Sequence, residues 1–216
     1  MKFETRAIHS GNKSDSATGA ITTPIYQTST FQQEAVGKHK GFVYTRTDNP
    51  TRHALEDNLA ALENAKYGLC FASGLAAVNT VMNLLKAGDH VVSANDLYGG
   101  TYRIFTKLFT KYGMTFDLVD ATNLDNIRRV IRPNTKVLWL ETPSNPLLKI
   151  TDLKAAIGIA KKHKILSVVD NTFATPYLQQ PFDFGADIVL HSTTKYLGGH
   201  SDILGGALIT NNKDLY

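Results

Sequence analysis

Apolar positions follow two regimes along the chain. From residue 1 to about 49 they show little periodicity and are interrupted by turn formers, so this stretch is expected to be an extended arm. From Pro50 the pattern turns regular. Asn49 and Pro50 have the character of an N-cap and first helical position, and Leu55, Leu59 and Leu62 recur at helical spacing on one face. Short apolar runs then alternate with amphipathic stretches. The runs lie at about 67–72, 89–95, 114–119, 135–141, 165–170 and 186–191, and the helical patterns near 74–86, 101–112, 123–132 and 151–163. Gly88 and Gly113 follow expected helix ends, where a left-handed residue is often needed. Strand–helix alternation of this kind predicts an α/β domain over 50–216, with a parallel sheet covered by helices on both faces.

Open parallel sheets bind ligands just past the carboxyl ends of their strands. In this chain those ends carry Ser73-Gly74-Leu75, Asp96-Leu97-Tyr98-Gly99-Gly100, Thr142-Pro143-Ser144-Asn145-Pro146, Asp170-Asn171-Thr172-Phe173 and His191-Ser192-Thr193-Thr194-Lys195-Tyr196. Small, polar and ionisable residues therefore gather on one edge. Ser73-Gly74-Leu75 opens a helix, so its free N–H groups suit a phosphate, although capping by Ser73 explains the same residues. Tyr98 precedes two glycines and offers a face to a flat ring, or packs as an ordinary loop tyrosine. Asp170 ends an apolar strand, where a carboxylate is costly unless paired; it fits a protonated ring nitrogen or the cap of a turn. Lys195 follows a buried strand among hydroxyl residues. Shielded there, its amine would have a lowered pKa and could condense with an aldehyde; a solvated lysine is the plainer reading.

Composition narrows the field. The chain has 216 residues, 43% hydrophobic and 19% charged, enough for one large domain or a domain with an arm. No apolar run approaches the roughly 18 to 20 residues that cross a membrane, and residues Met1 to Arg6 hold no apolar signal core. The single cysteine forbids an internal disulfide and points to a cytoplasmic setting. The formal charge of +4 is scattered, with Lys161, Lys162 and Lys164 read as a solvated helix face, so no nucleic-acid stripe is expected. None of the seven histidines is spaced H-x-x-x-H and no second cysteine exists, so no metal is expected. His191 and His200 read as structural or loop residues, and Cys70 as a core residue in a strand. Ser192 to Lys195 satisfies S-x-x-K, but Ser201-Asp202 is followed by Ile203, no K-T-G occurs, and the motif follows a strand rather than opening a helix. Neither a G-x-G-x-x-G nor a Walker A pattern is present.

The segment H-S-T-T-K-Y-L-G-G-H-S-D (191–202) resembles the cofactor attachment segment of the Cys/Met-metabolism enzymes that depend on pyridoxal 5′-phosphate (PLP). The likeness extends to T-P-I-Y-Q-T-S-T-F (23–31), Y-T-R-T-D-N-P-T-R (44–52), F-A-S-G-L-A-A (71–77), D-L-Y-G-G-T-Y (96–102), E-T-P-S-N-P (141–146) and V-D-N-T-F-A-T-P (169–176). The resemblance implies an aspartate-aminotransferase-like fold with a mostly parallel sheet. It also implies residue roles. Lys195 would bond covalently to PLP and act as acid and base, Asp170 would pair with the ring nitrogen, and Tyr98 would stack on the ring and aid the leaving group. Backbone N–H groups of Gly74 and Leu75 and the hydroxyls of Ser192 and Thr194 would hold the phosphate. Tyr44 and Arg46, on the arm, would reach the phosphate in a neighbouring subunit, making a homo-oligomer obligatory, by family habit a tetramer built as a dimer of dimers. Asn145 would contact the ring oxygen or the substrate carboxylate.

The family eliminates or replaces groups at the β or γ carbon of amino acids. Tyr98-Gly99-Gly100-Thr101 is similar to the γ-acting members, and methionine γ-lyases usually carry cysteine where Gly100 stands. Gly37 to Phe42, with Tyr44, is similar to cystathionine γ-synthases and γ-lyases, so γ-synthase activity is expected, with the γ-lyase and O-acetylhomoserine sulfhydrylase as alternatives. Family members run to roughly twice this length. The expectation is therefore a chain lacking the C-terminal domain and its carboxylate-binding arginine. Such a chain would leave core surface exposed, and the alternative to an enzyme is a catalytically incomplete fragment that binds PLP or partner chains without turnover.

Overall fold

The computed structural model describes residues 1–216. Its centre is one sheet of seven strands: β1 (Tyr67–Phe71), β2 (His90–Ala94), β3 (Thr115–Val119), β4 (Thr135–Glu141), β5 (Leu166–Asp170), β6 (Ile188–His191) and β7 (Gly206–Thr210). Their order is β1-β7-β6-β5-β4-β2-β3. The strands from β2 to β6 run parallel, while β7 lies antiparallel between β1 and β6. The sheet is thus mostly parallel rather than wholly so, and β7 was not among the expected runs. Its partner β1 lies far away in sequence, and such pairing leaves no local signature.

Helices α1 (Phe3–His9), α2 (Pro50–Leu62), α3 (Gly74–Met82), α4 (Gly99–Arg103), α5 (Leu124–Val130), α6 (Leu153–His163) and α7 (Thr175–Leu178) surround the sheet. Their starts follow capping chemistry. Asn49 accepts from Thr51 N–H at 2.9 Å, Ser73 from Ala76 N–H at 3.0 Å and Asp152 from Ala155 N–H at 3.0 Å. Gly88 and Gly113 sit at φ of +90° and +79°, the left-handed conformation expected of them.

The inner strands β2, β4, β5, β6 and β7 are buried on both faces, so their side chains supply two cores by simple alternation. Along β4, Leu138 and Leu140 join Val169, Val189 and α6 residues Ala156 and Ile157. Val137 and Trp139 join Val168, Leu190 and α3 residues Val78 and Met82 on the other side. The same alternation places Glu141 and Asp170, which end β4 and β5, on the α3 face.

Three expectations need correction. Residues 1–49 are not wholly extended, because α1 packs on α2. Asn58 donates to the carbonyls of Ala7 and Ser10, and Phe3 meets Tyr177 edge-on at 5.3 Å. Two helical turns are too short for a periodic signal. Leu55 is 46% exposed, so the buried face of α2 runs through Glu56, Leu59, Ala60 and Leu62 instead. The helix expected at 101–112 is divided into α4, a π turn at Ile104–Leu108 and a 3-10 turn at Phe109–Tyr112. The hydroxyls of Thr106 and Thr110 donate to carbonyls four residues back, a competition that bends helices.

Candidate active site

The strand ends bring the expected loops to one edge, and glycine backbones show how closely they meet. A Cβ on Gly74 would lie 2.8 Å from the Cβ of Ser192, so the α3 N-terminus rests against the loop after β6. A Cβ on Gly100 would lie 2.4 Å from the Tyr98 ring and 3.0 Å from Leu75. Only glycine allows these approaches. Ser192 N–H donates to the Thr172 hydroxyl at 2.8 Å, which ties the Lys195 loop to the Asp170 loop.

At the α3 N-terminus, Ser73 caps Ala76 N–H with its hydroxyl and Ala77 N–H with its carbonyl. The N–H groups of Gly74 and Leu75 keep the free, positive end of the helix. The capping reading of Ser73 is met, and the N–H groups it leaves free stay open to an anion. The Thr194 hydroxyl is differently engaged, donating to Gly205 carbonyl at 3.2 Å and accepting from Gly205 N–H at 3.0 Å. Of the two hydroxyls expected near a phosphate, that of Ser192 lies against Gly74 and that of Thr194 is held by Gly205.

Asp170 is almost wholly buried. Its Oδ1 accepts from Thr172 N–H at 3.0 Å, and its second oxygen takes no protein donor. Burial raises its pKa, opposed by the Thr172 hydrogen bonds and by His191. Beside it in register stands Glu141, whose pKa burial and the Asp170 carboxylate push up to about 8. Two buried carboxylates on one face form a site that favours a cation.

Lys195 is exposed, and the shielding expected around it is not found within this chain. Tyr98 is 42% exposed and Asn145 is exposed, so both side chains are free to meet a ligand. Tyr44 and Arg46 lie on the arm. Tyr44 bridges to Thr30, and the Arg46 guanidinium sits 4.9 Å from the Tyr44 ring centre. Asn49 and Arg52 tie this hairpin to the start of α2 through Tyr26, Thr45 and Thr47 carbonyl or hydroxyl oxygens. No hydrogen bond joins Tyr44 or Arg46 to Lys195 or Asp170.

Two features escaped the sequence reading. Glu141 accepts from Tyr98 N–H and from Asn145 N–H, each at 2.9 Å. The signal was present, since Glu141 closes an apolar run just as Asp170 does. Behind the sheet, His191 Nε2 meets Glu63 Oε1 at 2.5 Å, and Asn171 donates to the same oxygen at 2.8 Å. The structural reading of His191 holds, but nothing local marks Glu63 as its partner. Cys70 is only half-buried, and burial with the Glu56 charge pushes its thiol up to about 12. No cluster of three or more His, Cys, Asp or Glu side chains is placed to hold a metal. No helix is long and apolar enough to cross a membrane.

An exposed amine, a buried carboxylate with a free oxygen, an open tyrosine face and a helix N-terminus fit one kind of group: an aldehyde with a basic ring nitrogen and a phosphate, as in PLP. The class defined by this fold and edge is that of the PLP enzymes with an aspartate-aminotransferase-like large domain. A model of the family described as Cys/Met metabolism PLP-dependent enzyme matches residues 4–216, and the chain belongs to that family. It is 56% identical over 214 residues to a probable cystathionine gamma-synthase of Herpetosiphon aurantiacus, covering 99% of this chain and 67% of the relative. It is 54% identical over 213 residues to a cystathionine beta-lyase of Lactococcus lactis, covering 99% of this chain and 56% of that one. The crystal structure of cystathionine gamma-lyase from Lactobacillus plantarum complexed with L-serine superposes with a TM-score of 0.96 at 51% identity, over 100% of this chain and 56% of that one. The chain thus spans 56 to 67% of the length of these relatives.

Proposed function

We propose that the chain is the cofactor-binding portion of a trans-sulfuration enzyme, and that its reaction is that of a cystathionine γ-synthase. The observation that carries this is the meeting of the Lys195 loop, the α3 N-terminus, the Tyr98 loop and Asp170 on one edge. In the reaction the sulfur of cysteine replaces the acyl ester oxygen at the γ carbon of an O-acyl-homoserine, and the carboxylic acid leaves. Bound PLP supplies the electron sink. Lys195 Nζ holds the cofactor and then carries the α proton. The Asp170 carboxylate keeps the ring nitrogen protonated, at a position where a cation offsets the cost of burying charge. Gly74 and Leu75 N–H groups bind the phosphate with Ser192 and Thr194. The Tyr98 ring covers the cofactor ring, its phenol moves a proton at the leaving group, and Asn145 orients the ring oxygen or substrate carboxylate. Tyr44 and Arg46 serve the phosphate site of a neighbouring subunit in a dimer of dimers. Neither side chain is hydrogen-bonded to Lys195 or Asp170 within one chain, which leaves both open to that role.

A lyase reading has its own support, since a β-lyase and a γ-lyase stand among the similar proteins at nearly equal identity. The test begins with visible absorbance of the chain with PLP, before and after borohydride, and again in Lys195→Ala. A band fixed by reduction and absent in the variant supports the cofactor site. Product analysis with O-acyl-homoserine plus cysteine, and with cystathionine alone, then separates synthase from lyase. Bound PLP without either product indicates a fragment that binds but does not turn over.

A further inference from the structure

We infer that Glu141 is a positioning residue: its one carboxylate locks the Tyr98 loop to the Asn145 loop, so that both are set as a single unit. The lock itself stands on geometry; its consequence for the cofactor rests on the proposed roles of Tyr98 and Asn145. Strands β2 and β4 are neighbours, so the loops leaving their ends run side by side. Each loop presents a backbone N–H, from Tyr98 and from Asn145, and two donors cannot bond to each other. A buried acceptor with two oxygens resolves this. Glu141 is 6% exposed and accepts Tyr98 N–H on Oε2 and Asn145 N–H on Oε1, both at 2.9 Å. A second carboxylate ties the same loops in the opposite sense. Asp96, in the Tyr98 loop, accepts from the Ser144 hydroxyl and from Leu147 N–H at 3.0 Å. Neither carboxylate serves a salt bridge.

Both oxygens accept at full strength only in the ionised form, because a proton on either makes it a donor and withdraws the charge from both contacts. The titratable groups facing Glu141 are Asp170 on β5, with Asp96 and Tyr98 in the loop after β2; residues 142–148 of the other loop carry none. Desolvation and the Asp170 charge bring the titration of Glu141 up to about 8. Protonation is therefore expected to loosen both loops together near neutral pH.

The test is backbone amide exchange, read residue by residue on the 216-residue chain and its Glu141→Gln variant. Glutamine keeps the shape but only one accepting oxygen. Exchange at Tyr98 or Asn145 is expected to quicken roughly ten- to a hundredfold, the equivalent of one charge-assisted hydrogen bond. The amides of Leu138, Trp139 and Val169 are expected to keep their rates. In the unmodified chain, protection of Tyr98 and Asn145, corrected for intrinsic rate, is expected to rise together through the same pH midpoint. That measurement decides the matter even if the variant does not fold. Unchanged exchange in the variant, or separate midpoints in the parent chain, overturns the lock. A weaker affinity for PLP and a smaller visible circular dichroism of bound PLP in the variant extend the lock to the cofactor. If borohydride fixes no PLP on Lys195 while the exchange result holds, the cofactor reading fails and the lock stands.

Discussion

Replacing Glu63 by leucine removes the acceptor for two buried donors at once. Glu63 and His191 are 0% and 1% exposed, and Glu63 Oε1 takes both His191 Nε2 at 2.5 Å and Asn171 Nδ2 at 2.8 Å. Asn171 keeps a second acceptor in the Gln179 carbonyl at 2.9 Å. His191 keeps none, because its Nδ1 already lacks a partner. Breaking a buried pair by removing one member costs about 3–5 kcal/mol. Asn171 keeps its second acceptor, so the lower end is expected, about 3 kcal/mol. For a domain of this size that lowers the melting temperature by roughly 6–12 °C. Taking His191 to leucine as well removes the stranded ring, and the double variant should recover most of the loss, since apolar replacements of buried pairs are often neutral. Urea and thermal unfolding followed by circular dichroism measure all three chains. A single variant melting within about 2 °C of the parent, or a double variant worse than the sum of the two singles, would refute this account.

Other outcomes follow from the same coordinates. Gly100→Ala places a methyl against the Tyr98 ring, so a displaced ring, seen as altered Tyr98 side-chain NMR shifts with little change in stability, is expected. Glu141 binds its proton more tightly when folded, so its contribution makes the chain less stable as pH rises from 4.5 towards about 8; Glu141→Gln should flatten that slope in pH-dependent urea unfolding. His90 is the opposite case. Burial first, then Arg132, lowers its pKa from 6.5, so its contribution to stability is lost as pH falls below that value, and His90→Gln should weaken the acid dependence. Cys70, pushed up to about 12, should react far more slowly than free cysteine with a disulfide reagent at neutral pH.

What was legible in the sequence was whatever has a short-range cause. Asn49-Pro50, Ser73 and Gly113 announced helix ends because capping and left-handed backbone are set by neighbours a few residues away. The runs that became β4, β5 and β6 announced strands because both faces are covered, leaving those runs largely apolar. The loop residues from Ser73 to Lys195 could be placed on one edge because a parallel sheet turns sequence order into position. What failed was long-range. Leu55 fits the helical spacing but turns away from the core. Glu63 finds His191 at a separation of 128 residues along the chain, and its meaning appears only when α2 is docked. The exposure of Lys195 depends on what covers its loop, and no local pattern carries that.

The place of β7 between β1 and β6 has a consequence for the birth of the protein. β1 is the first strand to leave the ribosome and β7 the last of the seven, yet each is the other's neighbour. Until residue 210 emerges, β6 and β1 both present bare edges, and β1 has no strand beside it at all. The nascent sheet is thus an open clasp until β7 emerges and closes it. Over that interval the exposed edges are open to pairing with other chains, and closure waits on a slow, non-local pairing of β1 with β7.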